Sequence, residues 1–367
     1  MSNLYRKIRN YVPIVPFCIF VFGILTLLIY VIVRNSVSFA NFFNYNISAP
    51  FRAIISMLTS WIPFSLAETA IISAPFWIVV LIYIAVKMAK KGKRAALRYL
   101  STLLSILCFI AVSFVWTYSS GYYTSTIDKK LNLERKELSG EDLYNSAVII
   151  IENLNELSNE IIYDNTGASV MPYSYSKMSS EIYKAYKTFT KEYKTVRNFP
   201  SKIKPIILSE PLTYTHLSGI FSFMTGEANI NVNYPDFIIA SSAAHEMAHQ
   251  RGIAREDEAN FIAFLVCINS DDAFLKYSGY LDVYGYIMSA LSRADDELYE
   301  KAMDLVDYRV MYDRYSYSVF FKKYTQSKAS EVSDKVNNSY LQANGQKEGT
   351  KSYGLVTDLV CAYLSSK

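Results

Sequence analysis

The sequence is poor in charged residues and in histidine, and it lacks internal repeats. Charged residues make up 19% of the chain, whereas an average soluble domain contains about 25%. The net charge is only +4. Such a small excess, concentrated in short loops, excludes the broad basic surface of a nucleic-acid-binding protein. The absence of a repeat excludes a solenoid or a propeller.

Cysteine is also rare, with four residues among 367. Cys18 and Cys108 lie in long apolar runs, and no pair among the four has the spacing of a zinc knuckle. These positions exclude a disulfide-rich scaffold. Because Cys267 and Cys361 also lie in apolar segments, we expect them to be buried free thiols.

Apolar residues are abundant, at 51% of the chain, and many of them form three long runs. These runs cover residues 12–33, 69–86 and 99–116. Each is long enough to cross a hydrocarbon core of about 30 Å, and the first is too long for the core of a signal peptide. A shorter apolar segment, 51–64, contains Arg52 and predicts an interfacial or re-entrant helix. We therefore predict a transmembrane region over 1–117 and a second domain over 118–367.

The basic residues around these runs predict their orientation. Three basic residues precede the first run, and six lie between positions 87 and 98, whereas the connection between the first two runs contains only Arg34 and Arg52. By the positive-inside rule, the N-terminus and the second connection face the cytoplasm. We therefore expect a multi-pass protein of the cell membrane whose C-terminal domain is extracytoplasmic.

The strongest chemical signal is the segment HEMAH at 245–249, which has the form HExxH. The chain has only three histidines, and the spacing of His245 and His249 places their imidazoles on one helix face, where they can bind one Zn²⁺. Glu246 lies beside that face and can act as the general base toward a zinc-bound water. The competing interpretation is a pair of histidines without a metal. The scarcity of histidine argues against it.

A hydrolytic zinc site needs a third protein ligand and an open position for water. Gly252 is expected to end the first helix in a left-handed conformation, and the acidic run after it opens a second predicted helix. Glu256 and Asn260 share a face of that helix. We therefore expect Glu256 to bind the metal and Asn260 to support a ligand, with Glu258 as the alternative third ligand.

This pattern resembles known peptidase families. HExxH followed by Glu-x-x-x-Asn and an apolar helix resembles the gluzincin type of zinc metallopeptidase, in which the first glutamate of the second motif is the third ligand. It is also similar to bacterial regulatory peptidases that cleave repressors. HExxHxxG occurs in metzincins too, but Arg255 stands where their third histidine would fall.

The phrases HEMAHQRGIAREDEANF and YLQANGQKEGTKSYG resemble an uncharacterised bacterial family of multi-pass membrane proteins, domain of unknown function 3810, over most of the chain. In zincins generally, a strand edge beside the motif helix binds extended substrate. The resemblance implies that role for a strand within 217–233, and the alternative is a core strand without substrate contact.

The remaining chain is expected to be mostly helical. Ser139 and Asp142 predict a capping pair, and Asp236 predicts the N-cap of the motif helix. We also expect a short strand at 206–208, a loop-rich stretch at 327–349 and a terminal helix at 355–364. His216 fits a hydrogen-bonded structural residue better than a catalytic donor. The pattern does not select an oxyanion-stabilising tyrosine from the 31 in the chain.

These features predict a mainly α fold: three N-terminal transmembrane helices, then a mostly helical, zincin-like extracytoplasmic domain with a small β-sheet. The expected function is that of a membrane-anchored zinc metallopeptidase acting on a peptide or protein near the membrane surface. The alternative is a non-catalytic, zinc-stabilised membrane receptor or scaffold. A transporter component is disfavoured because the predicted spans contain no charged residues. Neither the oligomeric state nor the substrate follows from the sequence.

Overall fold

The computed structural model describes residues 8–325, 327–349 and 355–367. Its N-terminal part consists of α1 (Ile14–Asn35), α2 (Val37–Phe43), a π-helical turn (Asn44–Ser48), α3 (Ala49–Thr59), α4 (Leu66–Lys90) and α5 (Lys93–Thr117). Helices α1, α4 and α5 are long and apolar enough to cross a membrane. This confirms the three predicted apolar helices and fits association with a membrane.

The second part is mostly helical, as predicted. Its helices are a 3₁₀ turn (Ser119–Tyr123), α6 (Ile127–Leu131), α7 (Gly140–Leu157), α8 (Tyr175–Glu192), α9 (Ser209–Thr213), α10 (Asp236–Gln250), α11 (Glu256–Ile268), α12 (Ala273–Ala294), α13 (Asp296–Met303), α14 (Tyr308–Lys322), α15 (Lys328–Ala343) and α16 (Val356–Leu364). The Ser139–Asp142 capping box at the start of α7 and the terminal helix α16 are both confirmed.

Two small sheets accompany these helices. An antiparallel pair joins β1 (Ile162–Tyr163) to β2 (Ser169–Val170). The larger sheet contains β3 (Ile203–Pro205), β4 (Gly219–Ser222) and β5 (Glu227–Ile230) in the order β3-β5-β4. Strand β5 is parallel to β3 and antiparallel to β4. Strand β4 therefore lies at one edge of the sheet.

Helices α10 and α11 form the centre of the core. Every residue from Glu256 to Cys267 is buried, and α10 buries its alanines completely, at positions 240, 243, 244 and 248. Small side chains let neighbouring elements approach α10 closely, which brings the motif helix under β4 and against α11 and α12. Cys267 and Cys361 are buried free thiols, as predicted.

Three local predictions differ from the structure. Pro235 occupies the N-cap position of α10, and the carboxylate of Asp236 instead accepts the N–H of Met171 at 2.8 Å. The strand predicted at 206–208 lies three residues earlier, because the N–H groups of Ile207 and Leu208 donate to the carboxylate of Glu68 rather than to a strand.

The loop-rich stretch predicted at 327–349 contains helix α15. Ser327 caps this helix by accepting the N–H of Ser330 at 2.9 Å. The helix buries few residues, Ser330 and Leu341 among them, so its polar composition reflects exposure to solvent rather than a lack of helical structure.

Buried polar contacts join the two parts of the chain. The Arg52 side chain, 1% exposed, donates to Asn44 Oδ1 at 3.0 Å, to the carbonyl of Thr117 at 2.6 Å and to the carbonyl of Arg251 at 3.1 Å. In addition, the carboxylate of Glu227 accepts the first N–H groups of α4. Arg52 therefore connects the end of the long apolar helix α5 to the end of the motif helix.

Gly252 is predicted to be intolerant of a side chain. Its φ is +93°, and an added Cβ would collide with the Arg52 guanidinium and lie 2.8 Å from Asn44 Oδ1. We expect Gly252→Ala to lower the free energy of unfolding by about 2 to 4 kcal/mol, because backbone strain and overpacking add.

Gly92→Ala is the matched control, since Gly92 has φ +107° but open space around its Cβ position. Gly92→Ala should lower the free energy of unfolding by the backbone strain alone, about 1 to 3 kcal/mol, because its φ of +107° and ψ of 167° lie in a region that only glycine adopts readily. Thermal unfolding of both variants in detergent tests the difference, and equal midpoints would contradict it.

Candidate metal centre

The centre is built by the reversal of the chain between α10 and α11. Helix α10 carries His245 and His249 one turn apart, with ring centroids separated by 4.5 Å and planes at 88°. The left-handed conformation predicted for Gly252 is confirmed. It turns the chain back so that Glu256, the first residue of α11, faces both imidazoles.

The three side chains meet at one point. Glu256 Oε2 lies 3.3 Å from His245 Nε2 and 3.3 Å from His249 Nε2. Ligand atoms of the three residues all lie within 4.8 Å of one another, which is a grouping that could hold a metal ion. Two imidazoles and one carboxylate leave further positions on such an ion open.

Hydrogen bonding determines the tautomer of His249. Its Nδ1 lies 2.7 Å from the carbonyl oxygen of Ile253, which can only accept, so Nδ1 carries the proton. The lone pair of a neutral His249 is then on Nε2, the atom that faces Glu256. The hydroxyl of Tyr118 is 3.0 Å from the same Nδ1. Tyr118, the residue that follows α5, therefore contacts one of the candidate metal ligands.

Glu256 and the neighbouring histidines shift one another's pKa. Burial acts to raise the pKa of Glu256, but the two histidines outweigh it and hold that pKa well below its usual range. Burial acts to lower the pKa of His249, yet Glu256 raises it to about 9. Glu256 is therefore a buried anion that is stabilised by cationic neighbours.

Glu246 lies beside the cluster and beneath the edge strand. It is 5% exposed, burial raises its pKa, and Oε2 has no hydrogen-bond partner among the described residues. A Cβ on Gly219 of β4 would lie 2.6 Å from Glu246 Cγ and 2.7 Å from Oε1. Only glycine lets β4 pass this close. The only trace of this requirement in the sequence is a glycine in an alternating segment.

Cavities open on both sides of Glu246. A polar cavity of about 330 Å³ extends toward the N-terminal end of α10, where it meets Ser241, Ser242 and Asp282. An aromatic cavity of about 380 Å³ extends in the other direction, past Phe221 and Tyr340. Both also touch His245 and α15, which passes over the cleft.

The strands have different roles around this cleft. The single strand predicted within 217–233 is two strands, and the later one, β5, is central and pairs on both sides. Strand β4 presents the free edge instead, and Gly219, Ile220 and Phe221 line the aromatic cavity. The sequence pattern located a strand in this segment but did not show that two strands pair there or which of them is outermost.

The remaining candidates lie outside the ligand cluster. Glu258, the alternative third ligand, pairs with Arg255 Nε at 2.8 Å and accepts the N–H of Ile127 at 2.9 Å. Asn260 makes no hydrogen bond to a ligand among the described residues, and its Nδ2 is buried without a partner. His216 donates from Nε2 to the carbonyl of Tyr324 at 2.7 Å, as expected for a structural residue.

Comparison with known proteins identifies the family to which the chain belongs. A family model described as a protein of unknown function, DUF3810, matches residues 43–361. The chain belongs to the DUF3810 family. The match extends from the end of α2 to α16, so the candidate centre of this DUF3810 protein and the segments that join it to α5 lie within the matched region. No curated protein matches the chain, and no solved structure matches it.

In this DUF3810 protein, Glu258 is predicted to stabilise the fold rather than bind metal. Removing one partner of a buried ion pair costs about 3 to 5 kcal/mol, so Glu258→Ala should lower the thermal midpoint strongly. Glu297→Ala is the matched control, because Glu297 pairs with Lys301 on an exposed helix face. That pair contributes at most about 1 kcal/mol. Similar midpoints for the two variants would contradict the structural role of Glu258.

Proposed function

We propose that this protein is a membrane-anchored zinc metallopeptidase. The observation that supports it is the convergence of His245, His249 and Glu256, with Glu246 at their side and open cavities around them. Two imidazole nitrogens and a carboxylate oxygen suit Zn²⁺, which commonly takes such ligands in catalytic sites. The resemblance to gluzincins names the same ligands.

The chain supplies the other parts of a hydrolytic mechanism. When bound, Zn²⁺ lowers the pKa of a water molecule and polarises a peptide carbonyl. Glu246 accepts the proton of the attacking water and then donates it to the amine that leaves. Burial raises the pKa of Glu246, which favours its role as the proton acceptor. The free edge of β4 can bind an extended peptide through backbone hydrogen bonds above Glu246.

The proposed substrate is a peptide or exposed protein segment at the membrane surface. Tyr118 lies directly after α5 and contacts His249, so the centre lies at one end of a membrane-crossing helix. Near this end, α3 buries Arg52 but exposes Leu58, and Trp61 after it is 89% exposed. Apolar side chains in this position support an interfacial segment in contact with lipid. The distribution of the basic residues supports a position of this domain outside the cytoplasm.

A zinc-stabilised receptor or scaffold is the second candidate. A structural zinc site is closed by a fourth protein ligand. Among the described residues, the cluster contains three ligands, and cavities reach His245 from two directions. This arrangement favours the peptidase.

Metal analysis of the purified full chain in detergent tests the site. We expect about one zinc per chain in the wild type and in Glu258→Gln, and loss of zinc in His249→Ala and in Glu256→Ala. Loss in the Glu258 variant together with retention in the Glu256 variant would reverse the ligand assignment. A folded wild type that binds no zinc would contradict the peptidase proposal.

Glu246→Gln separates chemistry from metal binding. The substitution preserves shape but removes the base, so zinc content should be unchanged while hydrolysis falls by about 10²- to 10⁴-fold. Mass spectrometry of a mixed-sequence peptide pool, incubated with wild type and variant, gives the measurement. Equal cleavage by the two proteins would assign the activity elsewhere, and loss of zinc would assign Glu246 to the structure of the centre.

A further inference from the structure

The polar cavity beside the centre is acidic. Asp282 of α12, Asp334 of α15 and Glu246 all line it, and no Lys or Arg of the described chain does. Leu217 is the only aliphatic side chain in its wall, apart from the methylene groups of polar residues. The cavity is therefore unsuited to an apolar or an anionic group.

Asp282 lacks a cationic partner. It forms no hydrogen bond and no ion pair with the described residues, and burial raises its pKa to about 6. The charges that reach it are those of His245 and then Arg314. Nε2 of His245 faces Glu256, and the Arg314 guanidinium packs over the rings of Tyr284 and Tyr317, outside the cavity. A carboxylate in such surroundings gains most from a cation that also donates hydrogen bonds.

A second side chain points to a ligand. Asn260 lines the same cavity, is 8% exposed, and its Nδ2 has no partner among the described residues. Ser241 also faces the cavity, and because its hydroxyl donates to the backbone of α10, its oxygen remains free to accept. The wall thus offers an anion and a hydroxyl acceptor for a cationic N–H group, and the Asn260 Nδ2 donor can pair with a carbonyl oxygen of the same ligand.

We propose that this cavity binds a cationic nitrogen group of the substrate, with Asp282 as the residue that selects it. The group is the side chain of a lysine or arginine next to the scissile bond, or the free amino group of a short peptide, since both present N–H donors and positive charge. A volume of about 330 Å³ accommodates either. This inference rests on the proposed peptidase function.

The experiment must distinguish selection of a cation by Asp282 from a purely positioning role of Asp282 beside His245. His245 Nδ1 is buried and unpartnered among the described residues, and carboxylates often accept such a proton from a metal-bound histidine. A residue that only positions His245 would affect zinc content and the binding of every peptide equally. A residue that selects cations would change the ranking of peptides.

The experiment measures peptide binding by the zinc-loaded full chain carrying Glu246→Gln, so that peptides are not consumed. Acetylated and amidated peptides that differ at one position, Lys, Arg, Gln or Glu, are compared with the Gln peptide carrying a free amino terminus. We expect a basic residue or a free amine to bind about tenfold to a hundredfold tighter than Gln in the acetylated peptide. Asp282→Asn should abolish that preference, while the exposed Asp304→Asn should preserve it.

The outcomes separate the two proposals. Equal binding of the Lys, Arg and Gln peptides and of the free-amine peptide, no binding of any peptide, or an equal loss for all peptides with reduced zinc in Asp282→Asn would overturn the inference. A preference for the Lys and Arg peptides identifies the side chain as the source, and a preference for the free amine identifies the terminus. If the preference is present but wild type hydrolyses no peptide, the peptidase proposal fails and the cationic site stands.

Discussion

The structure depends on the tight turn between the motif helix and the helix that follows it. Gly252 adopts φ +93° there, and the Arg52 guanidinium occupies the space that a side chain would need. Arg251 is buried in the same turn, with its guanidinium 4.1 Å from the ring of Tyr186. Because buried charges need several well-placed acceptors, this turn has little freedom to change. Its rigidity holds Glu256 opposite the two histidines.

The same turn connects the candidate centre to the apolar N-terminal helices. Arg52 bonds the last carbonyl of α5 and the carbonyl that follows α10, and Lys204 of β3 donates to the carbonyl of Thr59 at the end of α3. A helix end normally leaves carbonyls without partners, so these contacts stabilise both elements at once. The second part of the chain is therefore docked on the N-terminal helices rather than tethered by a flexible linker.

Short-range sequence patterns predicted the features of the centre that depend on residues close together in the chain. The histidine spacing and the glycine after the motif helix depend on neighbours within a few residues, and both have the predicted conformation. The choice between Glu256 and Glu258 depends on Ile127, more than a hundred residues away, which binds Glu258. Asp282 and Gly219 enter from other elements, so no short-range signal identifies them. Helix α15 was missed because a helix that is mostly solvated resembles a loop in composition.

The two cavities make the cleft asymmetric. Toward the N-terminal end of α10 the wall is acidic and rich in hydroxyls, and toward its C-terminal end the wall is aromatic, with Phe221, Phe223 and Tyr340. If a peptide binds the edge of β4 as proposed, it would run past both cavities. A cationic group would gain a partner beside Asp282, and an apolar side chain would fit the aromatic cavity. A peptide that carries both groups would then bind in one direction.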